Sequence, residues 1–183
     1  MNDYIIIDNF LNDSFDVRDC RALILPFWKK EEHPFPESFG EFGGYRTEYL
    51  HVLDSELYRE VESKLLCAIR IMTNFNANLD HISTHYSFQY TDRKFKLPQW
   101  HCDQDPPDGM SEMVAGVIYL NPNPPRNSGT ILKIDGKKKV IDNKFNRLLL
   151  YNGKVEHTIQ RSFGRTKHDS RLILNTFTYL NFL

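Results

Sequence analysis

The stretch Gln99-Trp100-His101-Cys102-Asp103 carries two candidate metal ligands, and the rest of the chain is best understood from it. Side chains on a strand alternate between its two faces, so an extended backbone here turns His101 and Asp103 to the same side. One imidazole and one carboxylate on one side make two thirds of a site with two histidines and one carboxylate. Such a site holds Fe(II) and leaves other positions open for substrate and oxygen. His157, at the start of a later β segment, is the predicted third ligand.

The composition predicts one domain whose partners are not selected by net charge. The chain has 183 residues, enough for a sizeable core but not for a large second domain. Its 23 basic and 24 acidic side chains leave a net charge of −1, so we expect no general attraction to nucleic acid or to an anionic membrane. Thirteen Phe and nine Tyr favour a packed β protein over a disordered chain.

The cysteines and the N-terminus bear on the cellular compartment. Three cysteines without CxxC spacing predict reduced thiols in a cytoplasmic protein, neither a disulfide framework nor a zinc site. The first residues contain no basic region followed by a long apolar run, so we expect no secretory signal. No stretch approaches the roughly 18 consecutive apolar residues of a membrane-spanning helix.

Residues 1–80 are predicted to be the helical part of the domain. Tyr4–Ile7 predicts a short strand, and a first helix is expected over 13–25 or 14–25, ending before Pro26. A second helix starts after Asp54 or Ser55, either of which can cap it. Its apolar side chains share one stripe that should lie against a sheet: Leu57, Val61, Leu65, Ala68, Ile69 and Met72.

Residues 81–183 are predicted to be a β core. Eight short candidates span 82–90, 99–103, 113–120, 130–134, 138–142, 145–151, 155–161 and 170–180. Asp135-Gly136 and Asn152-Gly153 predict tight hairpin turns between them. Helices followed by a run of strands predict a mainly β fold with N-terminal helices. The specific expectation is a double-stranded β-helix, a jelly-roll barrel with the helices packed on its outer sheet.

An arginine near the C-terminus predicts an anion site. Arg171 opens the last β segment, and a guanidinium in an apolar strand is costly unless an anion pairs with it. A bound dicarboxylate would supply that anion, but an ion pair at a strand edge would equally explain the residue. Arg161 and Arg165 compete for the same role, although both flank a loop instead of entering a strand.

Other histidines compete with His157 for the third ligand position. His81 and His85 precede the His-x-Asp stretch, and His168 lies in the loop before the last strand. Each is expected to be an ordinary surface histidine, since isolated histidines are commonly exposed. His157 is preferred because it opens a β segment after a turn.

From His101 to its end the chain resembles the Fe(II)- and 2-oxoglutarate-dependent dioxygenases, particularly their prolyl-hydroxylase-like branch. Each piece of the match is short, but five occur in the family's order, which makes the series fairly specific. The five are His101-Cys102-Asp103, Val117-Ile118-Tyr119-Leu120-Asn121, Gly129-Thr130-Ile131-Leu132, the Phe145–Tyr151 strand leading to His157, and the last strand from Arg171 through Phe177 and Tyr179.

The resemblance implies a role for each of these positions. Fe(II) would be held by three side chains, His101, Asp103 and His157. Arg171 would pair with the far carboxylate of the cosubstrate 2-oxoglutarate. Tyr119 matches a position from which some members add a hydrogen bond to that carboxylate, although a core aromatic is an equal explanation. Tyr86 or Tyr90 could also contact the cosubstrate; the sequence does not choose between them, and packing explains either.

The implied activity is hydroxylation of a C–H bond with Fe(II), O2 and 2-oxoglutarate, releasing succinate and CO2. The substrate stays open between a peptidyl side chain such as proline and a small molecule. Two other classes are kept: a cupin-like metal-binding jelly-roll enzyme without 2-oxoglutarate, and a non-catalytic jelly roll for binding or assembly. The complete ligand set argues against the last, because a degenerate copy usually loses a ligand.

Overall fold

The computed structural model describes residues 1–11, 20–22, 45–74, 77–91, 93, 100–103, 108–166 and 168–182. Within these ranges the elements are β1 (Tyr4–Asp8), β2 (Tyr45–Tyr49), α1 (Leu50–Leu53), α2 (Ser55–Met72), β3 (Ala77–Thr91), β4 (Glu112–Tyr119), β5 (Thr130–Ile134), β6 (Lys137–Ile141), β7 (Arg147–Asn152), β8 (His157–Ile159) and β9 (Arg171–Phe182). Residues 20–22 are helical, and the rest of the first predicted helix lies outside the described residues. The prediction of a mainly β chain with few helices is confirmed.

The strands form two antiparallel sheets. The larger has six strands in the order β1-β7-β4-β9-β3-β2, and the smaller has three in the order β6-β5-β8. The sequence placed β3 to β9 correctly, whereas the candidate over 99–103 forms an isolated bridge at His101 within its described residues. The sequence did not predict β2, because Arg46 and Glu48 make it look like a polar connection.

One face of the six-stranded sheet, the helix face, is covered by α2. The Asp54 carboxylate accepts hydrogen bonds from the backbone N–H groups of Glu56 (3.1 Å) and Leu57 (2.9 Å), which confirms the predicted cap. The predicted stripe of α2 packs in one core with strand residues that include Tyr86, Phe88, Ile118, Leu150 and Leu172. Among the described residues, neither helix has the length and apolar character needed to cross a membrane.

The other face of the large sheet, the inner face, packs against the smaller sheet. Val117, Leu149 and Ile173 form one cluster with Leu132 of β5 and Ile141 of β6. Successive residues of a strand point to opposite faces, so each strand of the large sheet contributes to both layers. The inner face therefore lies between the two sheets, where a site can be enclosed.

The two predicted hairpin turns had different outcomes. Asp135 and Gly136 join β5 to β6 with φ values of 49° and 74°, the left-handed values that a type I′ turn requires at both positions. The hairpin at Asn152-Gly153 was wrong, because β7 pairs in the large sheet and β8 in the small one. At this point the chain leaves the large sheet and enters the small one. The Gly153 N–H donates to the Met113 carbonyl (2.9 Å). This crossing brings β8 opposite the inner face.

Candidate metal centre

The segment that carries the predicted ligands lies beside β8. The N–H of His101 donates to the His157 carbonyl (3.2 Å), and the N–H of His157 donates to the His101 carbonyl (2.8 Å). Farther along, the N–H of Asp103 donates to the Gly153 carbonyl (3.1 Å). His101 and His157 are thus directly opposite each other, and antiparallel partners point their side chains to the same side. The backbone pairing aligns the three side chains.

The three predicted ligands converge. One ligand atom from each of His101, Asp103 and His157 lies within 4.8 Å of the other two. The two imidazole centroids are 4.3 Å apart, and Asp103 Oδ2 lies 3.8 Å from His157 Nε2. Of the described His, Cys, Asp and Glu residues, only these three form a group of this kind.

Hydrogen bonds fix the tautomer of His157. Its Nδ1 lies 3.0 Å from the Val155 carbonyl, which can only accept, so Nδ1 carries the proton and Nε2 a lone pair. The Tyr151 hydroxyl lies 3.2 Å from Nε2 and donates to that lone pair. Burial lowers the pKa of His157 although the nearby Asp103 charge acts in the opposite direction. The imidazole is thereby kept neutral, as a metal ligand must be.

Asp103 is a half-buried carboxylate whose partners do not fully compensate its charge. Burial raises its pKa, while the His157 and His101 imidazoles, the Tyr151 hydroxyl and Arg46 act to lower it. Within the described parts of the chain, Oδ2 has no hydrogen-bond partner. A buried carboxylate oxygen without a partner is unfavourable, and a bound cation would remove that cost. The orphaned oxygen and the two-histidine, one-carboxylate donor set fit a divalent metal, with non-haem Fe(II) the typical occupant.

Arg171 is a buried cation on the inner face. Its side chain is 1% exposed, its Nε donates to the Ser128 carbonyl (3.3 Å), and its Cζ lies 5.9 Å from the centre of the Tyr119 ring. Within the described residues, its Nη2 has no hydrogen-bond partner. Arg161 and Arg165 are both exposed, so the structure distinguishes the three arginines. Arg171 has the burial and the unsatisfied donor that recognition of an anion would need.

The three candidate tyrosines divide between the two faces of the large sheet. Tyr119 lies on the inner face next to Arg171, and its hydroxyl donates to Thr130 Oγ1 (2.7 Å). Tyr86 and Tyr90 belong to the core on the helix face, and the Tyr86 ring lies 5.5 Å from that of Tyr58 on α2. The predicted cosubstrate contact of Tyr86 is therefore wrong, because the sheet separates that side chain from the inner face.

The competing histidines do not join the group. His85 is half-buried and packs edge-on against the rings of Tyr49 (5.1 Å) and Tyr179 (5.7 Å). His168 is exposed in the loop before β9. The side chain of His81 lies outside the part of the chain that the structure describes.

Three residues near the centre were not predicted from the sequence: Tyr151, Arg46 and Tyr179. Burial and the Asp103 charge raise the pKa of Tyr151 well above its usual value, so the phenol stays neutral. The charge of Asp103 also reaches the half-buried Arg46 and Tyr179. Counting alternate residues along β9 from Arg171 would have placed Tyr179 on the inner face. The same counting could not be applied to Arg46, because the strand that carries it was not predicted.

The comparisons with known proteins find the same architecture. No protein-family model and no curated protein matches the sequence. A prolyl-4-hydroxylase from Pseudomonas putida is 14% identical, with a TM-score of 0.56 over 100% of this chain and 94% of that one. HygX from Streptomyces hygroscopicus, solved with nickel, 2-oxoglutarate and hygromycin B bound, is 10% identical, with a TM-score of 0.63 over 98% and 83%.

A third similar structure is a prolyl hydroxylase from Trichoplax adhaerens in complex with a peptide fragment of the hypoxia inducible factor oxygen degradation domain. It is 15% identical, with a TM-score of 0.58 over 98% of this chain and 84% of that one. At these identities a likeness establishes the fold. The chain therefore has the fold of the prolyl-4-hydroxylase-like Fe(II) and 2-oxoglutarate oxygenases, as the resemblance of its motifs predicted.

Proposed function

We propose that this protein is an Fe(II)- and 2-oxoglutarate-dependent dioxygenase that hydroxylates a C–H bond. One observation carries the proposal: His101, Asp103 and His157 converge within 4.8 Å in a chain with the fold of such oxygenases. HygX, which shares the fold, has been solved with iron bound and with nickel and 2-oxoglutarate bound. The chain's own ligand set supports the same kind of metal here.

Each residue of the centre has a defined task in this proposal. Bound Fe(II) would supply oxygen activation, with 2-oxoglutarate giving up two electrons as it is converted to succinate and CO2. His157 offers Nε2 because Val155 holds the proton on Nδ1. Asp103 offers a carboxylate whose Oδ2 has no hydrogen-bond partner among the described residues. His101 completes the set from the exposed side.

Arg171 and Tyr119 are the proposed binding residues for the far carboxylate of 2-oxoglutarate. A buried guanidinium with an unsatisfied Nη2 gains most from an anionic partner, since charge-assisted hydrogen bonds are the strong ones. Tyr119 lies against that guanidinium, and its hydroxyl would need only to turn from Thr130 to donate to the same carboxylate. The charges of both Asp103 and Arg171 act on Tyr151, which supports a single site that extends from one to the other.

The substrate is proposed to be a peptidyl side chain, such as proline, or a small molecule. Proteins of this fold have been solved with a peptide fragment and with hygromycin B, so the fold accommodates both classes. The charge of Asp103 acts on half-buried Arg46 and Tyr179, which would form part of the surrounding wall. A net charge of −1 gives no reason to expect nucleic acid as substrate.

The proposal extends to the organisation of the chain. We infer that residues 1–183 are one oxygenase domain, with a helical part over 1–80 and a core over 81–183 that closes as a double-stranded β-helix. The shared apolar cluster between the two sheets supports that closure. No disulfide joins the three cysteines, which supports a cytoplasmic location.

Binding of metal and cosubstrate is tested by thermal unfolding of the purified protein with Mn(II), alone and together with 2-oxoglutarate or its unreactive analogue N-oxalylglycine. A ligand present at 100 times its Kd should raise Tm by roughly 5–10 °C in a domain of this size. Stabilisation by metal without any further effect of 2-oxoglutarate would favour the cupin-like alternative. No response to any metal would leave a non-catalytic jelly roll.

Turnover is tested by succinate release with Fe(II), O2 and 2-oxoglutarate over panels of peptides and small molecules. The matched variants are His101→Ala and His168→Ala, which each remove an exposed imidazole. Only the first should abolish succinate release, because His168 lies outside the ligand group. A His101→Ala protein that still consumed 2-oxoglutarate would refute the assignment.

A further inference from the structure

We propose that Tyr151 is a positioning residue of the metal centre, whose hydroxyl holds the Asp103 carboxylate in its ligating orientation once a metal is bound. The inference rests on the proposed function, because it concerns the same centre. It adds a residue that stands outside the three ligands and outside the cosubstrate pair.

The position of Tyr151 is set by the fold. It is the last buried residue of β7 before the chain crosses to the smaller sheet, and its side chain is 4% exposed. Its ring centroid lies 4.7 Å from that of His157, and its hydroxyl lies 3.2 Å from His157 Nε2. The same hydroxyl interacts with the Asp103 carboxylate. His157 Nε2 is itself 3.8 Å from Asp103 Oδ2, so the hydroxyl and the two ligands are close together.

A phenol has one proton and can donate it to one acceptor at a time. Two acceptors compete for it: His157 Nε2, whose lone pair is available because Nδ1 is protonated and directed to Val155, and the Asp103 carboxylate. When Nε2 gives its lone pair to a metal, the hydroxyl needs another acceptor. Asp103 is next to it, and a carboxylate that ligates through one lone pair keeps others that accept hydrogen bonds.

The effect of this change of acceptor on metal binding can be predicted. A hydrogen bond to a carboxylate is roughly twice as strong as one between neutral groups. A hydroxyl that no longer divides its one proton between Nε2 and Asp103 therefore holds the ligating carboxylate more firmly. The hydrogen bond also directs the carboxylate, so that one oxygen faces the metal and the positions opposite the protein ligands stay open.

The test compares Mn(II) affinity, from the free-Mn(II) signal in electron paramagnetic resonance titrations, for the wild-type protein, Tyr151→Phe and Tyr86→Phe. Each variant removes one hydroxyl from a buried tyrosine of the same sheet, but Tyr86 lies on the helix face. Tyr151→Phe should raise the Kd for Mn(II) roughly 10-fold, the lower end of the effect of losing an outer hydrogen bond to a ligand. Tyr86→Phe should leave that Kd unchanged.

A second readout reports geometry instead of affinity. Bound Co(II) absorbs visible light according to the number and arrangement of its ligands, so the Tyr151→Phe spectrum should differ from the wild-type spectrum. Tyr86→Phe should reproduce the wild-type spectrum. A role limited to packing would change Tm in both variants and the Co(II) spectrum in neither.

Three outcomes would overturn the inference. Equal or tighter Mn(II) binding by a folded Tyr151→Phe protein would show that the hydroxyl only occupies Nε2 in the metal-free state. If that variant does not fold, 3-fluorotyrosine at position 151 provides the test, and a ¹⁹F resonance unmoved by saturating Zn(II) would exclude a change of acceptor. A wild-type protein that binds no Mn(II) would overturn both this inference and the proposed function. Normal Mn(II) binding by the wild type and by Tyr151→Phe would overturn this inference alone.

Discussion

The helix face and the inner face of the six-stranded sheet are built from the same strands but have different contents. The helix face is apolar: α2 lies on Ile118, Leu150 and Leu172, all buried. The inner face also carries apolar residues, but Arg171 and Tyr151 are buried among them with polar atoms directed at the site. Arg171 and Leu172 are neighbours in sequence, but Leu172 lies in an apolar core and Arg171 lies beside polar groups of the site.

Stability and chemistry therefore depend on different parts of the chain. Burying an apolar side chain contributes about 1.5–3 kcal/mol, so the helix face favours folding. Burying Arg171 and Asp103 opposes folding, since burial lowers the pKa of the guanidinium and raises that of the carboxyl group. Substitutions on the two faces should accordingly have opposite effects on stability and activity.

The largest effect is expected from Asp103→Ala. Succinate release and stabilisation by Mn(II) should both disappear, because the only carboxylate of the described ligand group is gone. The free energy of unfolding without metal should stay the same or increase at pH 7, since the variant no longer buries a charge that the fold disfavours. Urea unfolding with and without Mn(II) measures both quantities, and a large loss of stability without metal would contradict the separation of the two faces.

The opposite pattern is expected from Leu65→Ala on α2. Leu65 is fully buried in the helix-face core, and truncation of such a side chain costs about 2–5 kcal/mol by loss of burial and by the cavity left behind. The Kd for Mn(II), measured well below the lowered Tm, should stay within about 2-fold of the wild-type value, a change of under 0.5 kcal/mol. A parallel loss of metal affinity would show that the helix face also shapes the centre.

The sequence predicted much of this arrangement because its strongest patterns are local. The stripe of α2, seven of the C-terminal strands and the common side of His101 and Asp103 all follow from the spacing of a few residues. The convergence of His157 depended on which strands pair, which spacing does not determine. The order of the motifs along the chain is what predicted His157 as the third ligand.

The faces of individual strands were harder to predict. His85, Ser87 and Gln89 alternate with Tyr86, Phe88 and Tyr90, and that alternation alone does not say which set faces the site. Both faces of the sheet are covered, so the usual rule that apolar residues face inward places Tyr86 equally well on either. Tyr151 follows three leucines, and a fully buried run has no polar residue to mark its inner positions.

Arg171 should show a smaller effect, confined to the cosubstrate. Replacing it by Gln removes the charge and should raise the KM for 2-oxoglutarate roughly 10–100-fold, the equivalent of ~1.5–3 kcal/mol for a hydrogen bond to a charged group. Arg171→Lys should recover part of that loss, since it keeps the charge but not the paired donors. The Kd for Mn(II) in the absence of 2-oxoglutarate should not change. An equal KM in all three proteins would assign the anion site to another residue.

The smallest effect is expected at Asp8, on the edge strand of the large sheet. Asp8 of β1 accepts hydrogen bonds from Arg147 (2.6 Å) and Lys144 (2.7 Å), and these partners lower its pKa well below the usual value. Because the carboxylate is 36% exposed, the whole cluster should contribute no more than about 1 kcal/mol. Asp8→Asn should lower the free energy of unfolding by that amount at pH 7 and leave Mn(II) binding intact.

The pH dependence of the Asp8→Asn difference follows from linkage. The folded-state pKa of Asp8 is depressed, so its contribution is complete above the unfolded value of about 3.9 and is lost as the pH falls toward the folded value. The gap between wild type and Asp8→Asn in urea unfolding should therefore narrow between pH 5 and pH 3, and it should also narrow in high salt. A gap of the same size at pH 3 would mean that the side chain acts by packing, and that even this exposed edge is stabilised as the helix face is.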